Sequence, residues 1–209
     1  MTLRQTSTPR RALLRSLAVI TALLAGCPTT VGADITSSSF ISFRQQIEPP
    51  RGFSAMCQHK PALCGPADPL GQAEAHVGLV DNLHLLDHVN RTVNRVVRQA
   101  DDWRVYGQNE VWTPAGLKRG ARGDCEDIAL EKRQQLIHAG VPADNLFLAV
   151  GYARRLGLHV VLVARTSGGD LVLDSRSNEL RSWRSVPYSW IGAQSGQDPA
   201  QWYAIRQPA

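Results

Sequence analysis

The chain has 209 residues, 43% of them hydrophobic and 20% charged, with a formal net charge of +5, enough for one soluble domain with a proper core. The positive excess is local. Arg4, Arg10, Arg11 and Arg15 stand in the first 33 residues without an acid, and from Asp34 onward 19 basic residues face 18 acidic ones; a nucleic-acid-binding surface is therefore not what this composition describes.

Those arginines precede the apolar run "LAVITALLAG" (Leu17–Gly26), which is too short and wrongly flanked for a membrane span and reads as a targeting signal over residues 1–33. Two processing points compete. "VGA" ending at Ala33 suits ordinary signal cleavage and a mature start at Asp34. "LAGC" at Leu24–Cys27 is a lipoprotein box that would lipidate Cys27, the only membrane attachment the sequence suggests. Both place the protein in the periplasm or beyond in a bacterium, with residues 34–209 as a single domain.

In an oxidising compartment the remaining cysteines, Cys57, Cys64 and Cys125, are an odd number. Cys57 and Cys64 in "CQHKPALC" can close a small disulfide loop around Pro61, which leaves Cys125 as the free thiol.

Along the chain, residues 34–69 are rich in Ser, Pro and Gly and read as irregular chain pinned by that disulfide. Pro69 opens a long helix to about Asp102, with Leu79, Leu83, Leu86, Val89, Val93, Val96 and Val97 as its apolar stripe. Asp101–Gly123 has too many turn formers for a helix and reads as a loop over the core. A second helix runs from Asp124, as a side-chain cap, to Gly140 and Pro142. "NLFLAVGY", "HVVLVAR" and "DLVLDSR" read as strands, the last two joined by "TSGG" as an antiparallel hairpin, with a final strand at Trp202–Arg206. The class is α+β, N-terminal helices packed on an antiparallel sheet.

The chemistry centres on "GDCEDIALEK", residues 123–132, where a cysteine opens the second helix among acids. Carboxylates oppose ionisation of a neighbouring thiol, whereas a helix N-terminus favours it. A cysteine nucleophile also needs a histidine base and a group to orient that base. Of the six histidines, His159 alone opens a strand, and Asp174 closes the next, so a hairpin can bring the two together. Simple counting centres the turn between Thr166 and Ser167, not at the Gly168–Gly169 pair, so an offset or a bulge is required. His84 and His88 with Asp81 have helical spacing for zinc but read more plainly as surface residues.

"VNRTVNRVVR", "YGQNEVWTP", "GDCEDIALEKRQQLIHAGV", "LHVVLVAR" and "LVLDSR" together resemble the bacterial transglutaminase-like cysteine proteinases, including the LapG-type adhesin-releasing branch, over about Val89 to Asn178. The resemblance implies a papain-like, transglutaminase-like topology and a Cys–His–Asp triad, with Cys125 as nucleophile, His159 as base and acid, and Asp174 as the orienting carboxylate. It implies calcium held by Asp124 and Glu126, with Asp127 joining them or facing solvent. It also implies a protein substrate in the cell envelope and control by an inner-membrane receptor. Two rivals use the same fold: an amidase or transglutaminase acting with the same triad, and a non-catalytic envelope binding module.

Overall fold

Seven strands form one antiparallel sheet, and helices cover one of its faces. A computed structural model describes residues 38–64 and 81–208, all within the unit Ile35–Ala209. The signal segment, Cys27, His76, Leu79 and the helix start expected at Pro69 lie outside the described residues. In chain order the elements are β1 (Phe43–Ile47), α1 (Arg51–His59), a 3-10 turn (Pro61–Leu63), α2 (Leu83–Val96), β2 (Arg98–Gln99), α3 (Asp102–Tyr106), β3 (Arg122–Gly123) and α4 (Cys125–His138). A second 3-10 turn (Ala143–Asn145) leads into β4 (Leu146–Ala153), β5 (Gly157–Thr166), β6 (Gly169–Leu173), β7 (Arg181–Ser182), β8 (Ser189–Gln194) and β9 (Trp202–Ile205). The sheet order is β1-β9-β8-β4-β5-β6-β7, and β2 and β3 form a separate parallel pair.

Strands β4 and β5 are near-continuous apolar runs because both faces of the sheet are covered. Alternation sorts their side chains. Leu146, Leu148, Val150, Val160, Leu162 and Ala164 join the core that includes α2 and α4, while Phe147, Ala149, Val161 and Val163 join Trp183 and Trp190 on the other side. On α2 the buried stripe is Leu86, Val89 and Val93, continued by Val97, whereas Leu83 is exposed.

Three expectations are corrected. The helix does not reach Asp102: it stops at Val96, and the chain goes extended to pair β2 with β3 through Arg98 N–H to Ala121 O and Ala100 N–H to Gly123 O, each 3.0 Å. Asp101–Gly123 is not loop throughout, since α3 interrupts it and ends on Gly107 in the left-handed region at φ 67°. Residues 34–69 are not all irregular. They contain edge strand β1, paired with β9, and α1, which the Cys57–Cys64 disulfide ties to the 3-10 turn.

Helix α4 begins and ends where the sequence places it. Gly140, at φ 88°, lets Val141 N–H reach back to Leu136 O, the left-handed closure that glycine allows. The β5–β6 hairpin turns through Ser167–Gly168, with Thr166 opposite Gly169. A side chain at Gly169 would sit 2.6 Å from Ser39 O, which is why glycine ends this turn. The register is an offset without a bulge. Continued, it sets Asp174 diagonal to His159, within side-chain reach.

Candidate functional site

The N-terminus of α4, the start of β5 and the end of β6 converge. Cys125 is the first residue of α4, and no intrahelical acceptor exists for the N–H groups there. The sheet delivers His159 and Asp174 as a buried pair, Nε2 to Oδ1 2.8 Å. A carboxylate accepts, so Nε2 carries the proton in this bond, and in the neutral imidazole the lone pair is on Nδ1. His159 and Cys125 line the same cavity of about 290 Å³, with Leu158, Gln99, Arg104 and Arg176. The three residues singled out from the sequence are thus brought together.

Asp174 is held on both oxygens. Arg176 N–H donates to Oδ1 at 2.9 Å, and the Tyr188 hydroxyl donates to Oδ2. Burial alone would raise this carboxyl, but the bonds from His159, Tyr188 and Arg176 hold it below its ordinary value. Tyr188 also packs its ring 5.4 Å from that of His159, so one side chain buttresses both.

The thiol has a different environment. Cys125 S–H donates to Glu126 Oε2 at 3.0 Å, and Val160 N–H donates to Sγ at 3.4 Å. Burial pushes the thiol up, the charge and hydrogen bond of Glu126 add to that, and the Val160 amide works the other way. As the chain stands, the proton stays on sulfur, shared with Glu126.

Glu126 belongs to a trio. Single ligand oxygens of Asp102, Asp124 and Glu126 all lie within 4.8 Å of one another. Asp102 uses Oδ2 to accept from Val111 N–H at 2.6 Å. Its Oδ1 and Asp124 Oδ1 are buried without a hydrogen-bond partner among the described residues. Asp124 does not cap α4 with its side chain, contrary to expectation. Burial, then the charge and hydrogen bond of Glu126, push its carboxyl well above the usual range. Orphaned, converging, all-oxygen donors fit a hard divalent cation such as calcium, and Asp102 is a candidate ligand the sequence did not reveal. Parallel pairing of β2 with β3 creates the trio, because it runs the residues after Gln99 alongside those after Gly123.

Asp127 neither joins that trio nor faces solvent. It is fully buried, accepts from Thr113 N–H at 2.9 Å and the Tyr106 hydroxyl at 2.7 Å, and so pins the 107–121 loop to α4. Glu131, one turn on, holds Gly116 N–H at 2.8 Å in the same way. Burial raises Asp127 to about 7 against the pull of those two donors. The acids of "GDCEDIALEK" therefore divide between a cation-like cluster and loop fastening. Lys132, also fully buried, has no hydrogen-bond partner at Nζ among the described residues; burial lowers it to about 7, offset in part by the Asp174 charge. His84 and His88 are exposed.

The family model for bacterial transglutaminase-like cysteine proteinases matches residues 43–209. Among solved structures the chain is similar to calcium-bound LapG of Legionella pneumophila, with TM-score 0.50 and 20% identity over 79% of this chain and 84% of that one. Two further LapG structures from the same organism, one of them EGTA-treated, each give TM-score 0.47 and 21% identity over 74% of this chain, covering 78% and 76% of theirs. The first likeness is one of fold. Comparison with curated proteins gave no match.

Proposed function

The chain belongs to the bacterial transglutaminase-like cysteine proteinases, and we propose that it is an exported endopeptidase that cuts a specific site in another envelope or surface protein. The observation that carries this reading is the buried His159–Asp174 pair opening onto the cavity that Cys125 also lines. In this reading His159 Nδ1 takes the thiol proton, Sγ bonds to the scissile carbonyl carbon, and the C–N bond breaks as the imidazolium returns the proton to the leaving amine. Water, deprotonated by His159, then hydrolyses the thioester and restores the thiol. Asp174 keeps the imidazole in the tautomer that leaves Nδ1 basic, and the Cys125 N–H is a donor for the developing oxyanion.

Asp102, Asp124 and Glu126 would hold a calcium ion. When bound it would supply positive charge that offsets the carboxylates opposing thiol ionisation. Without such an offset Glu126 acts as a brake, keeping the Cys125 proton by its 3.0 Å contact. Export is supported by the arginine-led apolar segment before Asp34. Among the described residues no helix is long and apolar enough to cross a membrane.

Cleavage is tested by incubating the mature protein with envelope proteins of its source bacterium, with calcium, and sequencing the new N-termini. New termini that vanish with Cys125→Ala support the endopeptidase. Cross-linked species or deamidation without new termini would instead favour the transglutaminase or amidase chemistry of the same triad.

A further inference from the structure

Two cavities meet at Cys125, and they differ in kind. The smaller, described above, contains His159 and is edged by the exposed Arg104 and Arg176 and by Asp101, which lies 3.9 Å from the Arg104 guanidinium. The larger, about 420 Å³, does not include His159. Its buried walls are apolar, from Val150, Val160, Trp112 and Trp202, with Leu158 and Ile191 exposed beside them. Glu48 and Glu110, both exposed, stand on its lining, as do the acids flanking Cys125. Leu158, two residues before Val160 on β5, lines both cavities and stands between them.

Chemistry then assigns the two sides. The imidazolium must hand its proton to the departing nitrogen, so the amine half of the substrate lies in the His159 cavity. At the tetrahedral carbon the remaining chain, the acyl half, has to leave on the side away from that nitrogen, toward the larger cavity. Beyond Glu126, whose Oε2 is taken by the Cys125 thiol, the buried walls there are apolar and leave a charged side chain without a buried partner, and the acids on the lining repel carboxylates in particular. On the other side Arg104 already faces Asp101, whereas the exposed Arg176 guanidinium suits a carboxylate.

Resting on the proteinase reading, we propose that the substrate site is a peptide segment with a sizeable apolar side chain on the acyl side of the cut bond and an acidic residue on the amine side. The larger cavity is the acyl-side specificity pocket, and Arg176 is the amine-side charge clamp.

The test uses the mature protein with calcium. Peptidyl acyloxymethyl ketones that differ only in a leucyl, lysyl or aspartyl acyl-side residue are compared by their second-order rates of Cys125 labelling, with iodoacetamide as a probe that needs no pocket. Leucyl labelling at least about tenfold faster than the other two is expected. A peptide library read by mass spectrometry should show acids enriched after the cut, and Arg176→Glu should turn that preference toward lysine and arginine. Equal labelling by the three ketones, alongside fast His159-dependent iodoacetamide labelling, overturns the apolar pocket and leaves the proteinase reading standing. Cuts without acid enrichment, or a preference that the charge reversal does not alter, overturn the clamp. Labelling no faster than a free thiol with every probe sinks the proteinase reading, and this inference with it.

Discussion

Replacing Asp102 by asparagine should make the calcium-free protein more stable. At 4.8 Å, the outer limit between ligand oxygens of the trio, two unit charges at an effective dielectric near 20 repel by about 3.5 kcal/mol. Three ionised carboxylates would then carry on the order of 10 kcal/mol of repulsion, as large as the whole stability of an ordinary domain. One carboxyl must keep its proton, and Asp124, raised chiefly by burial and then by Glu126, is that group. A folded carboxyl raised from 3.8 to about 9 contributes stability that is full below 3.8 and lost as pH rises through about 9. The change Asp102→Asn drops one charge, and the amide oxygen it leaves can still accept from Val111 N–H, as Asp102 does at 2.6 Å. Asp124 is only half-buried, so with solvent screening the expected gain in chelator is about 1–2 kcal/mol, a rise of roughly 2–8 °C in Tm. Calcium at about 100 times its Kd should stabilise the natural protein by about 2.7 kcal/mol and the variant by much less. Thermal unfolding across pH in EGTA and in calcium measures both effects. A variant that loses stability in chelator, or keeps the full calcium shift, would refute the cluster as a cation site.

Other consequences follow from single side chains. Lys132→Met removes an ammonium lowered from 10.5 to about 7 by burial. Between those limits the unfolded chain binds the extra proton, so the natural protein should gain on the variant by up to about 1.4 kcal/mol per pH unit; a difference in unfolding free energy that does not change with pH would exclude this. Tyr188→Phe takes one of the donors from Asp174 and should raise that carboxyl toward its ordinary value. The acid limb of the Cys125 labelling profile should move to higher pH, with a loss of about tenfold in rate, and an unmoved profile would show that Tyr188 only fills space. Gly123→Ala would put a Cβ 2.6 Å from the Asp127 Cβ and should cost about 1–3 kcal/mol, readable by denaturant unfolding.

What the sequence made legible is what local pattern controls. Val- and Leu-rich runs announced β4 to β6, Gly140 and Pro142 announced the end of α4, and the ordered motifs pointed to Cys125, His159 and Asp174. What stayed hidden depends on tertiary contacts. Strand β1, "FRQQI", is mostly polar because it is an edge strand only partly buried at its ends, so no apolar run marks it. Asp102 lies 22 residues before Asp124, and only the parallel β2–β3 pair brings them together. Asp127 read as a cluster acid or a surface one because a loop closing over a helix leaves no periodic trace. Tyr188 comes from the turn before β8, which the β4–β8 pairing folds back beneath Asp174.

The central claim is that Cys125 and His159 act as a reactive pair once the acids beside the thiol are offset. It is tested most directly by the rate of Cys125 alkylation at mildly acidic pH, followed by mass spectrometry on the mature protein in calcium and in EGTA. His159→Ala serves as the control. The account predicts fast labelling in calcium, slower labelling in EGTA, and loss of the fast rate with His159→Ala. Labelling at the rate of an ordinary free thiol in all conditions, indifferent to His159, would contradict it.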